Sequence, residues 1–232
     1  MFDKVIDLTL TVENGLKSFP SHPAAVIMDF VTHEFSAPRY ELPCEGFASK
    51  LLIVSDHLGT HVDAPVHFIK GGKDISSVDI NQCMGRAYCF DFSNKQADAF
   101  VTESMLKKKL DDNNIVLQTG DIVLIRAWPG KWGEEGFFSC QGLDIGAAKY
   151  LYDSKVKLIG MDLGMVDIVG DKHRPIHMMM LGSEILLIEN LVNLDKLPDS
   201  KPFFFIGLPL KLSGCTASPI RAVAILDFEV VK

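Results

Sequence analysis

The sequence predicts one α/β domain over residues 1–232, with a mixed, curved sheet and helices packed outside it. Apolar runs rich in β-branched and aromatic residues outnumber the segments with helical periodicity, and some of these runs follow one another without a helix between them. A simple alternation of strands and helices is therefore not expected. With 232 residues, 47% of them hydrophobic, the chain can bury a full core without disulfides or a structural metal.

The first 127 residues contain five predicted strands and one predicted helix. The strand at 5–10 follows from alternating apolar and polar residues, and the other strands follow from β-branched or aromatic runs. Those four runs are 24–31, 48–54, 85–92 and 121–127. Thr102 is a suitable N-cap for a helix at 103–110, which ends in a turn of aspartates and asparagines.

The remaining residues contain two predicted helices and four predicted strands. Asp144 caps the first of these helices, whose apolar stripe consists of Ile145, Ala148, Leu151 and Tyr152. The second helix is short and lies around 177–181. The four strands are 157–161, 185–188, 202–207 and 222–231.

Charge, cysteine usage and hydropathy exclude several classes of protein. The formal net charge is -7, and the one basic cluster, at 107–109, is followed at once by two aspartates, so no nucleic-acid partner is expected. Five scattered cysteines without a CxxC pair indicate a reducing compartment. The N-terminal residues lack a signal-peptide pattern, and no apolar run approaches the roughly 20 residues of a membrane span. We therefore expect a cytoplasmic protein that does not enter a membrane.

Residues 57–67 hold the densest group of chemically active side chains, with three of the seven histidines and an interposed aspartate. Gly59 and Pro65 exclude a continuous helix, and with it the helical HExxH type of zinc site. In an extended chain, His61 and Asp63 point to the same face with Cα atoms about 7 Å apart. That spacing suits two ligands of one ion.

The chain must bend for His57 to join this pair, because full extension would place it about 13 Å from His61. Gly59 and Thr60 supply the place for the bend. The preceding apolar run, 51–54, is expected to be a buried strand that anchors the loop rigidly. His67 lies beyond a proline and is either a further ligand or a nearby base.

A lone buried histidine is usually a hydrogen-bonded core residue, but this explanation fits a cluster poorly. Removing several titratable groups from water in one place is costly unless a cation or hydrogen bonds compensate. The pattern in 57–67 therefore favours a metal site.

A second group of candidates lies between residues 173 and 190. Glu189 follows the apolar strand 185–188, where a carboxylate either serves as a ligand or simply marks the exit of the strand to solvent. His177 opens the short apolar helix, and His173 precedes it by one turn. These residues predict the second half of the site.

The run HLGTHVDAPVH at 57–67 resembles the HxGTHxDxPxH signature of the cyclase-like metal-dependent hydrolases, a family that includes bacterial kynurenine formamidase and isatin hydrolase. The resemblance extends to GMDLGMVD at 160–167, to 177–198 and to 209–226, and so spans most of the chain. It implies a barrel-like sheet and assembly as a homodimer or homotetramer.

The resemblance also implies roles for individual residues. Two divalent ions per subunit would share Asp63. His57, His61 and Asp63 would hold one ion, and Asp63, His177 and Glu189 would hold the second. His67 would be the general acid/base, and the spacing to Glu189 favours His177 over His173. The family's early aromatic-Pro-Gly-Asp stretch is replaced by Phe-Pro-Ser-His at 19–22, where Phe19 is expected to line the substrate pocket.

These residues predict a metal-dependent amidohydrolase that uses metal-bound hydroxide to cleave a small-molecule amide, either an N-formyl aryl amide or a cyclic amide. Imidazole and carboxylate ligands without a thiolate suit Zn²⁺, with Mn²⁺ as the alternative. Arg221 either recognises a substrate carboxylate or forms a structural ion pair. The competing interpretations are an isatin- or lactone-type ring-opening hydrolase, a metal-dependent cyclase or lyase, and a non-catalytic metal-binding protein.

Overall fold

A curved mixed sheet of nine strands organises residues 4–226, the part of the chain that the computed structural model describes. The strands assigned within these residues are β1 Lys4–Asp7, β2 Val26–Val31, β3 Ser49–Ile53, β4 His61–Asp63, β5 Met84–Asp91, β6 Ile122–Arg126, β7 Leu158–Met161, β8 Leu186–Glu189, β9 Pro202–Ile206, β10 Ala217–Pro219 and β11 Val223–Leu226. The α-helices are α1 His33–Ser36, α2 Glu103–Asp112, α3 Ile145–Asp153 and α4 Pro175–Gly182.

The strand order along the sheet is β1-β11-β9-β5-β6-β7-β8-β4-β10. The four central strands, β5 to β8, run parallel, and α2, α3 and α4 lie in the connections between them because parallel neighbours need crossover segments. The flanking strands pair antiparallel. The predicted α/β class and mixed, curved sheet are confirmed.

The central sheet separates two apolar cores. Val123 and Leu187 point to the side covered by the helices, whereas Leu124 and Ile188 point to the opposite core. Because both faces are covered, these strands appear in the sequence as continuous apolar runs rather than as alternating ones. The site described below lies on the helix side, at one end of this sheet.

Asp144 caps α3 as predicted, because its carboxylate accepts a hydrogen bond from the backbone N–H of Ala147 at 2.6 Å. We expect Asp144→Ala to lower the free energy of unfolding by about 1 kcal/mol, since the first turn loses a satisfied donor. Urea denaturation measures the change. The matched control is Asp153→Ala at the other end of α3, where the aspartate pairs only with the exposed Lys149. An equal effect of both substitutions would contradict the capping role.

Residues 24–54, here called the arm, contradict one sequence prediction. The run 51–54 does form a strand, β3, but the strand is exposed rather than buried: Leu52 and Ile53 keep 60% and 58% of their surface accessible. It pairs only with β2, outside the main sheet. Apolar runs predict burial only on average, and here the apolar side chains face outward on both strands.

The other differences from the predicted elements are small. β4 and β10 are three-residue strands, too short to be predicted as strands from apolar runs, although the extended geometry assumed at 61–63 is that of β4. The predicted strand 222–231 is present as β11 up to Leu226, and its remainder lies outside the described residues. All five cysteines are free. None of the helices between residues 4 and 226 combines the length and apolarity that crossing a membrane requires.

Candidate metal centre and active site

Strand β4 presents two of the predicted ligands on one face. His61 and Asp63 are buried and point to the helix side of the sheet, while Val62 between them points into the opposite core. The antiparallel register places Glu189 of β8 directly opposite His61. Gly59, with φ of +61°, makes the bend that the sequence predicts before this strand.

The helix α4 brings His177 to the same place. His177 lies in its first turn, and its Nε2 is 3.4 Å from Glu189 Oε1 and 3.5 Å from Asp63 Oδ2. His57 approaches from the bend, with Nδ1 3.0 Å from Asp63 Oδ1. All five residues predicted as metal ligands therefore converge around Asp63.

Each of these histidines is oriented by a contact at its other ring nitrogen. Nδ1 of His61 lies 2.8 Å from the carbonyl oxygen of Gly59, and Nδ1 of His177 lies 2.8 Å from Asp167 Oδ2. Nε2 of His57 lies 2.8 Å from the hydroxyl of Thr216. Such contacts fix the ring orientation and leave the remaining nitrogen directed at the centre of the site, as in metal-binding histidines.

The electrostatics of the cluster are dominated by burial and by opposite charges. Burial alone would raise the pKa of Asp63, but the adjacent imidazoles of His177 and His57 hold that pKa well below its usual range. Burial would lower the pKa of His177, yet Asp167, Asp63 and Glu189 raise it well above the usual value. The site therefore concentrates negative charge and attracts a cation, whether a proton or a metal ion.

The donor set fits a divalent ion. Both carboxylate oxygens of Asp63 and Nε2 of His61 are buried without a correctly aligned hydrogen-bond partner, which is unfavourable unless a cation satisfies them. Nε2 of His61 is 3.5 Å from Asp63 Oδ1 and 3.6 Å from Glu189 Oε2. Donors around a four-coordinate zinc ion stand about 3.3 Å apart, given bond lengths near 2.0–2.1 Å. The observed spacings are close to that value.

His67 lies on a short 3-10 turn after β4, at the edge of the cluster. Its ring centroid is 4.1 Å from that of His57 and 4.4 Å from that of Phe68. Burial, with a contribution from the neighbouring His57, lowers the pKa of His67 to about 4, so the imidazole is neutral at pH 7. A nitrogen of His67 also lies within 4.8 Å of donor atoms of His57 and Asp63. Its predicted role as a base rather than a ligand stays a prediction.

A cavity of about 190 Å³ opens over the metal-ligand cluster. Phe19 lines it and packs edge-on against Phe138, and its contact with a substrate stays a prediction. Residues that the sequence did not single out also line it, among them His22, Phe68, Met165 and Arg174. The cavity has room for a small organic molecule against the histidines.

Arg221 does not reach this cavity. It is exposed and pairs with Asp7 through two contacts of 2.9 and 2.6 Å, so of the two alternatives left open by the sequence the structural ion pair is the observed one. His173 is also excluded as a ligand, because its side chain is 94% exposed.

Asp167 is a positioning residue that sequence reasoning missed. Its carboxylate accepts hydrogen bonds from the backbone N–H groups of Ile176 and His177 in addition to its contact with the His177 ring. It thus holds both the first turn of α4 and the imidazole. The ten-residue gap between Asp167 and His177 has no periodic signal, so only the folded chain reveals the pair.

We expect Asp167→Asn to weaken divalent-metal affinity by about 10-fold to 100-fold, since the amide no longer provides a charged partner for the His177 ring. Titration of the chelator-treated protein with Zn²⁺ measures the change. The matched control is Asp171→Asn, because Asp171 contacts only the exposed His173. Unchanged affinity in Asp167→Asn would show that α4 positions His177 without this carboxylate.

Comparison with known proteins gives the family. The family model described as "Putative cyclase" matches residues 6–168, which include β4 and the residues that precede and follow it. The chain belongs to the cyclase family. The resemblance inferred from the signature at 57–67 is thereby confirmed.

One curated relative and two solved structures are similar to this chain over most of its length. A kynurenine formamidase of Bacillus cereus (strain ATCC 10987 / NRS 248) is 30% identical over 220 residues, covering 94% of this chain and 95% of the relative. Isatin hydrolase A from Labrenzia aggregata, bound to benzyl benzoate, superposes with a TM-score of 0.81 at 20% identity, over 95% of this chain and 93% of the other. A "predicted metal-dependent hydrolase from Bacillus stearothermophilus" superposes with a TM-score of 0.73 at 23% identity, over 95% and 97%.

Proposed function

We propose that this cyclase-family protein is a metal-dependent hydrolase of small-molecule amides. The observation that carries the proposal is the convergence of three imidazoles and Glu189 on a buried, unsatisfied Asp63 at the base of a cavity. The similarity to kynurenine formamidases over nearly the whole chain supports amide cleavage. Within this class we propose N-formyl aryl amides or cyclic amides as substrates.

The proposed ligands are His57, His61, Asp63, His177 and Glu189. A divalent cation held by them would lower the pKa of a coordinated water far below its value in bulk water, toward about 7, and would polarise a carbonyl oxygen. We propose Zn²⁺ as that cation, with Mn²⁺ as the alternative, because the donors are imidazoles and carboxylates without a thiolate. We also propose that two ions can share Asp63.

The remaining chemistry falls to the protein's own side chains. Hydrolysis adds water to the carbonyl carbon, breaks the C–N bond, and leaves the electron pair of that bond on nitrogen, which takes up a proton. His67 is placed beside His57, is neutral at pH 7, and can accept a proton from water and return it to the leaving nitrogen. Phe19 and Phe68 flank the cavity and would hold the apolar part of the substrate away from water.

We also propose that the protein assembles as a homodimer or homotetramer through the arm. A two-stranded hairpin is only marginally stable alone, and this one exposes apolar side chains such as Phe30 (72%) and Leu42 (84%). A second copy presents the same surface and can cover it symmetrically. Sedimentation velocity tests the assembly, and a monomer at micromolar concentration would contradict it. The cytoplasmic location stays a prediction.

The function is tested with protein purified without chelators. Metal analysis is expected to find one or two divalent ions per chain, and turnover is measured on formanilide, isatin and a benzolactone of similar size. Hydrolysis in ¹⁸O-labelled water is expected to place one labelled oxygen in the product acid. Turnover without label would indicate a cyclase or lyase, and a metal-loaded protein inactive on every substrate would favour a non-catalytic metal-binding protein.

A further inference from the structure

Arg174 lines the active-site cavity without a carboxylate partner. Within residues 4–226 no carboxylate oxygen lies within 4.0 Å of its guanidinium, and its one polar side-chain contact is with the thioether sulfur of Met165. A thioether is a weak acceptor and leaves most of the five N–H donors of an arginine unused. A partly buried cation in this state is unfavourable unless something else binds to it.

The other arginines show what a structural role looks like in this chain. Arg86, Arg126 and Arg221 each pair with an aspartate at 2.6–2.9 Å. Arg39 belongs to the exposed arm and stacks on Phe35. Arg126 also borders a cavity, but its guanidinium is already paired with Asp91. Among the five arginines, Arg174 is the one that lines a cavity without a carboxylate partner in the described part of the chain, so a structural ion pair does not explain its position.

The backbone at Arg174 is also unusual. The residue has φ of 48° and ψ of 53°, the left-handed region that side-chain-bearing residues rarely adopt, and it stands immediately before the first turn of α4. This conformation costs on the order of 1 kcal/mol and is typically retained where function requires a particular side-chain direction. Here it accompanies a guanidinium at the wall of the cavity, three residues before His177.

The other residues of the cavity wall and the size of the cavity favour a small aromatic carboxylate as the anion. Phe19, Phe68 and Met165 are apolar. Glu189, the one carboxylate on the wall among residues 4–226, is already close to His61 and His177. At about 190 Å³ the cavity has room for a single aromatic ring with its substituents, since a cavity of about 150 Å³ binds benzene. A planar carboxylate matches the fork of a guanidinium with two parallel hydrogen bonds.

We propose that Arg174 binds a carboxylate of the substrate, so that the amides this protein hydrolyses are small anionic aryl amides. The proposal rests on the function proposed above and adds to it the substrate's charge. His22 lines the same cavity, and its Nδ1 is buried without a hydrogen-bond partner. It supplies a second polar group that a substrate can satisfy.

The test compares N-formylanthranilate, which carries a carboxylate beside the formamide, with formanilide, which lacks it. We expect the metal-loaded protein to show a higher kcat/KM for the anionic substrate. Arg174→Met is expected to lower the ratio of the two kcat/KM values by about 10-fold to 150-fold, the range for hydrogen bonds to charged groups. Arg174→Lys keeps the charge without the forked geometry of the guanidinium, so its ratio of kcat/KM values should lie between those of the unaltered protein and Arg174→Met. The control Arg221→Met removes an exposed arginine outside the cavity and should leave the ratio unchanged.

Binding provides a readout that does not need turnover. Calorimetry on the metal-loaded protein compares benzoate with benzyl alcohol, and Arg174→Met should weaken benzoate binding by the same factor. If neither amide is hydrolysed but benzoate binding depends on Arg174, the proposed reaction fails, and only the role of Arg174 in binding a carboxylate stands. An unchanged ratio, or benzoate binding that is the same in Arg174→Met, would overturn the inference and assign the carboxylate to the metal. Circular dichroism checks that each variant is folded.

Discussion

Replacing Asp63 by asparagine is expected to remove the divalent metal and at least about 10³-fold of the turnover. Asp63 is fully buried and lies within 3.5 Å of ring nitrogens from His57, His61 and His177, so its loss removes the carboxylate that contacts all three imidazoles. A cation contributes several kcal/mol of transition-state stabilisation, and each 1.36 kcal/mol corresponds to a tenfold rate. Asparagine keeps the shape of the side chain while removing the charge.

The measurements are metal content after gel filtration and kcat/KM on the best substrate of the panel. The matched control is Asp112→Asn, since Asp112 forms an exposed ion pair with Lys108 on α2, and such pairs contribute little. A folded Asp63→Asn protein with full metal content would show that the ion is held without Asp63. The proposed metal centre would then be wrong.

The second large effect is expected for His67→Gln. This variant should keep its metal and lose about 10²-fold to 10⁴-fold in kcat, the usual contribution of general acid–base catalysis. The reason is that His67 borders the cavity, beside the cluster, and is neutral at pH 7. Glutamine approximates the size of the ring but cannot carry the proton.

Metal content separates the two roles that His67 can have. His57, Asp63 and His67 offer donor atoms within 4.8 Å of one another, so a loss of metal in His67→Gln would make His67 a ligand instead of the base. Full activity would exclude both roles. His33→Gln, at an exposed position on the arm, is the control for the loss of an imidazole.

The sequence predicted the part of the site that depends on short-range geometry. The period of two in β4 placed His61 and Asp63 on one face, and the bend at Gly59 was required by the reach of the chain. Glu189 at the end of an apolar strand had two interpretations, and the pairing of β8 with β4 brings it into the cluster.

The supporting contacts were beyond prediction because they join distant segments. Thr216 meets His57 across more than 150 residues, and the backbone and hydroxyl of Thr216 are in turn hydrogen-bonded to Asp56. The direction of Arg174 depends on a backbone conformation that residue type does not predict. The prediction for the arm was wrong for a different reason: an apolar strand can have the same composition whether it is buried or exposed.

The position of β4 in the sheet has a consequence for synthesis of the chain. Its two neighbours, β8 and β10, both come from more than 120 residues further along. A nascent chain that has emerged only as far as residue 180 therefore carries all seven histidines but no closed site. Contacts of such long sequence separation form late in folding. With the proposed ligands, capture of the ion would therefore report completion of the sheet, and the bound ion would favour the finished fold by mass action.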